Sequence, residues 1–333
     1  MKSVRFEGQS KVSVVTAPDP EPDEKSVIIK VGASALCGSE LYSYRGDRVG
    51  LDDLLNSGHE VAGEIAWAPE GSGFKVGQKV GARVVQGCGN CRWCDAGDET
   101  ACENKVYYSG NGHSELFKLG LQGVHVLPED IDWPRGVLLS GDGLGVPVRA
   151  ARKLGDTAGK TVLVIGLGPI GLACALVQSF RGARVIGADL APYRLNLLKE
   201  CGAEDAIDVS KENVLERVLD WTDGLGVDIV ILAVARQQSL ELAFECVRRY
   251  GTVFQVAELE KAELNFSKSF LRREANMMGS WYYTSADWPL MLQMHRDGLP
   301  YDKLITHVIP ADEAQEAFNV FSAGESGKVV LTY

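Results

Sequence analysis

The sequence predicts an α/β protein in which a doubly wound parallel sheet is joined to a mainly β domain. Three observations carry this expectation. At 333 residues the chain is longer than one hydrophobic core supports. From Thr161 onward, apolar strand candidates alternate with helical stretches, the pattern of a parallel sheet covered by helices on both faces. Before residue 150 the chain instead gives short β-rich runs broken by Gly and Pro.

Taken in order, residues 12–31 hold β-rich runs around a turn containing Pro18, Pro20 and Pro22, and residues 60–85 hold further short strands. In the second half, strands are expected at 161–165, 184–188, 227–234 and 251–255, with helices at 194–201 and 240–249. After about Trp288 the pattern is irregular, and residues 328–332 read as a closing strand that returns to the first domain. The expected division is a first domain at 1–148, a second at 149–287, and a return segment at 288–333.

Apolar residues make up 45% and charged residues 24%, values that predict full globular cores. A net charge of -11 argues against a nucleic-acid footprint or a basic membrane-surface helix, both of which need clustered Lys and Arg. Residues 1–8 carry charge and lack the apolar core of a signal peptide. Residues 161–177 are apolar, but Gly166, Gly168, Pro169 and Gly171 make a buried strand, turn and helix the better reading than a membrane span. Four of the eight cysteines cluster at metal-ligand spacing and the rest are scattered, which points to a reducing, cytoplasmic location.

Gly166-Leu167-Gly168-Pro169-Ile170-Gly171 sets G-x-G-x-x-G directly after a strand and at the start of an apolar helix. In that context Gly166 permits the tight turn, Gly168 admits a pyrophosphate to the backbone, and Gly171 allows close helix packing. The helix N-terminus offers free N–H groups and a partial positive charge to the phosphates. The next strand ends at Asp189, placed to accept hydrogen bonds from an adenosine ribose and to repel a 2′-phosphate, which favours NAD over NADP. Arg194, five residues on, is the competing feature that would meet a phosphate.

Cys88, Cys91, Cys94 and Cys102 form C-x2-C-x2-C-x7-C in a glycine-containing lobe at 87–103. Four thiolates at this density suit a closed tetrahedral zinc site, structural in role because no ligand position stays open. The spacing differs from ferredoxin-type clusters and lacks their Cys-Pro ending.

Cys37, followed by Gly38-Ser39-Glu40, and Gly58-His59-Glu60 are each weak signals by themselves. Taken in order with the cysteine lobe and the nucleotide motif, they make nearly the whole chain resemble the zinc-containing medium-chain alcohol and polyol dehydrogenases. The resemblance implies a GroES-like catalytic domain beside a Rossmann domain, two zinc ions per chain, and NAD. It implies that Cys37 and His59 bind a catalytic zinc and that Glu60 is a ligand or lies just behind one. The last ligand in that family, Cys or Glu, falls in a segment that here offers only Asp142. Asp142 is a ligand by position, or else orients His59 from behind.

Zinc with an open position lowers the pKa of a bound alcohol, as it lowers that of water from ~15.7 to ~7, so that hydride passes to the nicotinamide. Resemblance gives Ser39 the alcohol's proton; the histidine that continues the relay in many relatives is here Tyr42. Tyr282 occupies the position of an arginine that binds polyols in sorbitol-type enzymes. Aromatic Trp281, Tyr282 and Tyr44 line the pocket or fill core and subunit contacts. His113 reaches the site or sits in a solvated loop, and His125, His295 and His307 are structural, as are Cys174, Cys201 and Cys246. The expected partners are a small alcohol, polyol or ketone and further copies of the chain in a homodimer or homotetramer, with no nucleic acid and no membrane. A zinc-free quinone or enoyl reductase, or a zinc- and nucleotide-binding protein without turnover, are the alternatives.

Overall fold

The computed structural model of the chain describes residues 1–46 and 54–333. Two compact units emerge: the first comprises Met1–Gly145, Thr284–Arg296 and Ile305–Tyr333, the second Val146–Tyr283 and Asp297–Leu304.

The second unit is built on a six-stranded sheet, parallel throughout. In spatial order its strands are Asp205–Asp208, Arg184–Asp189, Thr161–Ile165, Val227–Leu232, Val247–Gln255 and Asn276–Gly279. In chain order this is 3-2-1-4-5-6, the doubly wound order with its switch point beside the strand that precedes Gly166. Central strands are buried on both faces, which is why they read as unbroken apolar runs rather than alternating ones: Val162, Leu163, Val164, Val230, Ile231 and Leu232 have no exposed surface. The apolar stretch of 161–177 resolves into the strand Thr161–Ile165 and the helix Pro169–Phe180. Among the described residues no helix is long and apolar enough to cross a membrane.

Two expectations are corrected here. The helix expected at 240–249 runs Gln237–Cys246, and Val247–Arg249 belong to the following strand. Val247 pairs with Val227, so a long-range strand pairing overrides the local helical pattern. The stretch after Trp288 is regular rather than irregular: helix Trp288–Arg296, strand Ile305–Pro310 and helix Ala314–Ala323 occupy it. The last of these buries Ala314, Ala317, Phe318 and Phe321, the spacing of one helical face. It packs on Val4, Leu36, Tyr44, Val329 and Leu331.

The first unit holds a seven-stranded sheet in which Ser26–Ala35 is central. It pairs antiparallel with Glu60–Trp67, with Leu116–Gly120 and with the closing strand Lys328–Thr332. The register sets Ala35 opposite both Glu60 and Val330. The residues just beyond Ala35, the start of the Glu60 strand and the start of the closing strand therefore meet at one end of the sheet.

His125 lies buried in this unit, its ring stacked on Trp288 at 4.3 Å and 13°. Burial, with Arg83 nearby, pushes its pKa down to about 3. The unfolded chain therefore takes up a proton below about pH 6.5 that the folded chain refuses, and stability falls as pH drops through the window from about 6.5 to about 3. His125→Phe, which keeps the stack and removes the titration, is expected to shrink the loss of stability between pH 7 and 4.5 by about 2 kcal/mol in urea unfolding.

Candidate functional site

The sheet register of the first unit brings Cys37, His59, Glu60 and Asp142 together. Each offers a ligand atom, and these atoms lie within 4.8 Å of one another. Cys37 follows the central strand, Glu60 begins its neighbour and His59 stands just before it. Asp142 opens the helix Asp142–Leu154, just past the helix Trp133–Ser140 that packs across these strands.

His59 Nδ1 donates to the Ser57 carbonyl at 2.8 Å, which turns Nε2 to Asp142 Oδ2 at 3.4 Å, where a cation would take the place of a proton. A ring fixed in this tautomer by a backbone acceptor is the usual arrangement behind a metal-binding histidine. Burial opposes charge on His59, but Cys37 and Asp142 outweigh it and hold its pKa well above the ordinary value. Asp142 Oδ1 is buried without a hydrogen-bond partner. A sulfur, an imidazole nitrogen and an unsatisfied carboxylate, converging at this distance, make a donor set that fits zinc with a position left for another ligand.

Glu60 is differently engaged. Its side chain is fully buried, Oε1 accepts from Lys328 Nζ, and Oε2 accepts from the Gly143 N–H at 3.2 Å. Burial disfavours the Lys328 charge, yet Glu60, Cys37 and Asp142 around it hold its pKa above the ordinary lysine value. Lys328 escaped sequence reasoning: a single Lys heading an apolar strand gives no sign of a carboxylate 268 residues away. Glu40 escaped too. It is fully buried, accepts the Cys37 N–H on Oε1 at 3.3 Å, and sits 3.7 Å from His59 Nδ1. Its position directly after Ser39 was the available signal.

Ser39 is exposed, with Oγ 3.4 Å from Cys37 Sγ, and Tyr42 is 57% exposed. The solvated-loop reading of His113 is corrected: the residue has no exposed surface and bonds to Glu40 and Ser34. Tyr44 is core rather than pocket, stacked on Phe318 at 5.0 Å with its hydroxyl toward Asn319. Trp281 and Tyr282 belong to the second unit, Tyr282 being 8% exposed with a left-handed backbone of φ 59. Cys174, Cys201 and Cys246 are buried thiols pushed up to about 12 by burial, which leaves them inert.

The four Sγ atoms of Cys88, Cys91, Cys94 and Cys102 also lie within 4.8 Å of one another. Cys91–Cys94 at 3.6 Å and Cys88–Cys94 at 4.0 Å bracket the ~3.8 Å edge of a tetrahedron with Zn–S bonds of ~2.3 Å. The N–H groups of Gly89 and Cys88 point at Cys94 and Cys102 sulfur. Beneath the lobe, buried Arg83 donates to the Val85 and Gln122 carbonyls at 2.6 and 2.8 Å and pairs with Glu99 at 3.3 Å.

In the second unit Gly166 has φ 87, and a Cβ at Gly171 would stand 1.9 Å from the Gly166 carbonyl oxygen, so both positions require glycine. Gly168 precedes the 12-residue helix Pro169–Phe180 and leaves its first N–H groups without a side-chain cap. Asp189 Oδ2 accepts the Leu167 N–H at 2.5 Å, and Oδ1 accepts those of Leu190 and Ala191 at 2.7 and 2.8 Å, tying the carboxylate to the glycine turn. Arg194 stands near enough for Asp189 to oppose the lowering of its pKa by burial.

The profile of the alcohol dehydrogenase GroES-like domain matches residues 23–129, and that of the zinc-binding dehydrogenases matches residues 169–296. A sorbitol dehydrogenase of Halalkalibacterium halodurans is 29% identical over 98% of this chain and 96% of its own. An L-threonine 3-dehydrogenase of Pectobacterium carotovorum is 28% identical over 96% and 95%. Among solved structures, an alcohol dehydrogenase from Thermus sp. ATN1 superposes with a TM-score of 0.90 at 26% identity, covering 100% of this chain and 99% of its own. An Escherichia coli CFT073 alcohol dehydrogenase complexed with NADH gives 0.88 at 25% identity, with 100% and 99% covered.

The buried pair is testable by itself. Lys328→Met strands the Glu60 carboxylate in the interior and is expected to cost about 3 kcal/mol or more in urea unfolding, whereas adding Glu60→Gln to it recovers most of the loss.

Proposed function

Because the chain belongs to the zinc-dependent medium-chain dehydrogenase/reductase family, we propose that Cys37, His59 and Asp142 hold the catalytic zinc, with Glu60 behind them. Cys88, Cys91, Cys94 and Cys102 hold a structural one. The observation that carries this reading is the convergence of the four donors Cys37, His59, Glu60 and Asp142 within 4.8 Å, with Asp142 Oδ1 buried and unpartnered. The protein is an oxidoreductase that moves a hydride between the alcohol carbon of a small alcohol or polyol and NAD, giving a ketone or aldehyde. In our reading the first unit is the catalytic domain and the second binds the cofactor.

Bound zinc supplies a Lewis acid that lowers the pKa of the alcohol oxygen toward neutrality, so that loss of the proton and then of the hydride becomes feasible. The chain's own residues do the rest. Exposed Ser39 beside Cys37 takes the alcohol proton and passes its own to solvent, since Tyr42 stands where relatives continue the relay with a histidine. Lys328 and the Gly143 N–H keep Glu60 turned so that its charge is spent on them. In the second unit Gly166, Leu167, Gly168, Pro169, Ile170 and Gly171 receive the pyrophosphate, and Asp189 receives the adenosine ribose, with Arg194 alongside.

A homo-oligomer, dimer or tetramer, belongs to the same reading, supported by the sheet-edge strand Asn276–Gly279 with Met277 40% exposed. A cytoplasmic location is supported by a lobe that works only with reduced thiolates.

Metal analysis of the purified protein is expected to give two zinc ions per chain, one of them lost in Cys37→Ala. Turnover of a panel of secondary alcohols, polyols and amino alcohols is expected with NAD in preference to NADP, and Asp189→Gly is expected to narrow that preference at least tenfold. A single zinc that Cys37→Ala does not remove would sink the metal assignment.

A further inference from the structure

Behind the Cys37, His59 and Asp142 cluster runs a file of buried polar side chains. His113 Nε2 is 2.7 Å from Glu40 Oε2, and its Nδ1 is 2.8 Å from Ser34 Oγ. Ser34 Oγ lies in turn 3.1 Å from the Tyr333 hydroxyl. Ser34, Glu40 and His113 have no exposed surface. The remaining Glu40 oxygen, Oε1, accepts the Cys37 N–H and faces His59.

The Nε2–H of His113 donates to Glu40, while Nδ1 shares a hydrogen bond with the Ser34 hydroxyl, which is bonded in turn to Tyr333. The backbone locks the imidazole as well: Asn56 Oδ1 accepts the N–H groups of both Gly58 and His113 at 3.1 Å. A Cβ on Gly58 would stand 2.7 Å from His113 Cδ2, so the ring fills the space that glycine leaves beside His59.

We propose that His113 is a positioning residue for the metal site: it holds the buried Glu40 carboxylate in the one orientation that fixes Cys37 and His59. The inference rests on the reading that Cys37, His59 and Asp142 bind zinc. Its physical basis is that a fully buried carboxylate keeps its orientation only through its hydrogen bonds, and among the described residues His113 is the side chain bonded to Oε2. Groups that orient metal ligands in this way typically change metal affinity ten- to a hundredfold when removed.

The test uses intact protein with cobalt in place of zinc, read as a visible difference spectrum against Cys37→Ala. His113→Phe keeps the ring volume and removes both hydrogen bonds; His113→Gln keeps a donor toward Glu40. In His113→Phe the band is expected to shift, and metal affinity at this site to fall about ten- to a hundredfold. The cysteine lobe should keep its metal, and His113→Gln should recover most of the affinity. Ser34→Ala, a nearly isosteric change that folds even if His113→Phe does not, is expected to shift the same band to a smaller extent. Wild-type band and affinity in whichever of His113→Phe and Ser34→Ala fold would overturn the role of His113. A wild-type spectrum that shows no difference from that of Cys37→Ala would instead bring down the metal-site reading, and this proposal with it.

Discussion

The register of three strands in the first unit is the constraint on which the candidate metal centre depends. Ala35 stands opposite Glu60 on one side and Val330 on the other. Because side chains alternate between faces with a period of two, a slip of one residue in either pairing would turn Glu60 or Lys328 to the wrong face of the sheet. Register here is held by packing on both faces: Val27, Ile29, Ala33, Ala35, Val61 and Ala62 have no exposed surface, and a slip would turn Lys30, exposed in this register, to the opposite face. The chemistry at the end of the sheet therefore inherits its precision from apolar packing along its length.

Buried charge then does what packing cannot. Glu40 and Glu60 flank the donor cluster from two sides, and each has both carboxylate oxygens engaged, Glu40 by His113 and the Cys37 N–H, Glu60 by Lys328 and the Gly143 N–H. Such groups are costly to bury unless satisfied, and once satisfied they resist reorientation. Asp142 is the contrast, with Oδ1 buried and unmatched. The surroundings are fixed and one donor is kept free, which is the arrangement expected where a cation completes the coordination.

What the sequence revealed followed from how local each constraint is. The nucleotide turn was legible because Gly166 and Gly171 answer to backbone geometry within a few residues. The cysteine lobe was legible because four thiols fall within fifteen positions. Cys37 and His59 gained meaning only through resemblance, since nothing local separates a ligand from a packed cysteine or histidine. His113, Glu40 and Lys328 acquire their roles from partners 73 and 268 residues away, and sequence reasoning missed those roles. The same cause explains Val247, drawn from an expected helix into a strand by Val227. The helix Ala314–Ala323 had a readable apolar face, but a single short helix between short elements did not announce itself.

The separation of Glu60 from Lys328 also imposes an order in time. At translation rates of roughly 5–20 residues per second, the 268 residues between them take on the order of 15–50 s to emerge. The cysteine lobe, with its donors close in sequence, is able to capture metal while the rest of the chain is still being made. The Glu60–Lys328 pair at the end of the sheet forms only once the last strand has emerged, so of the two proposed metal sites the cysteine lobe has its full surroundings first.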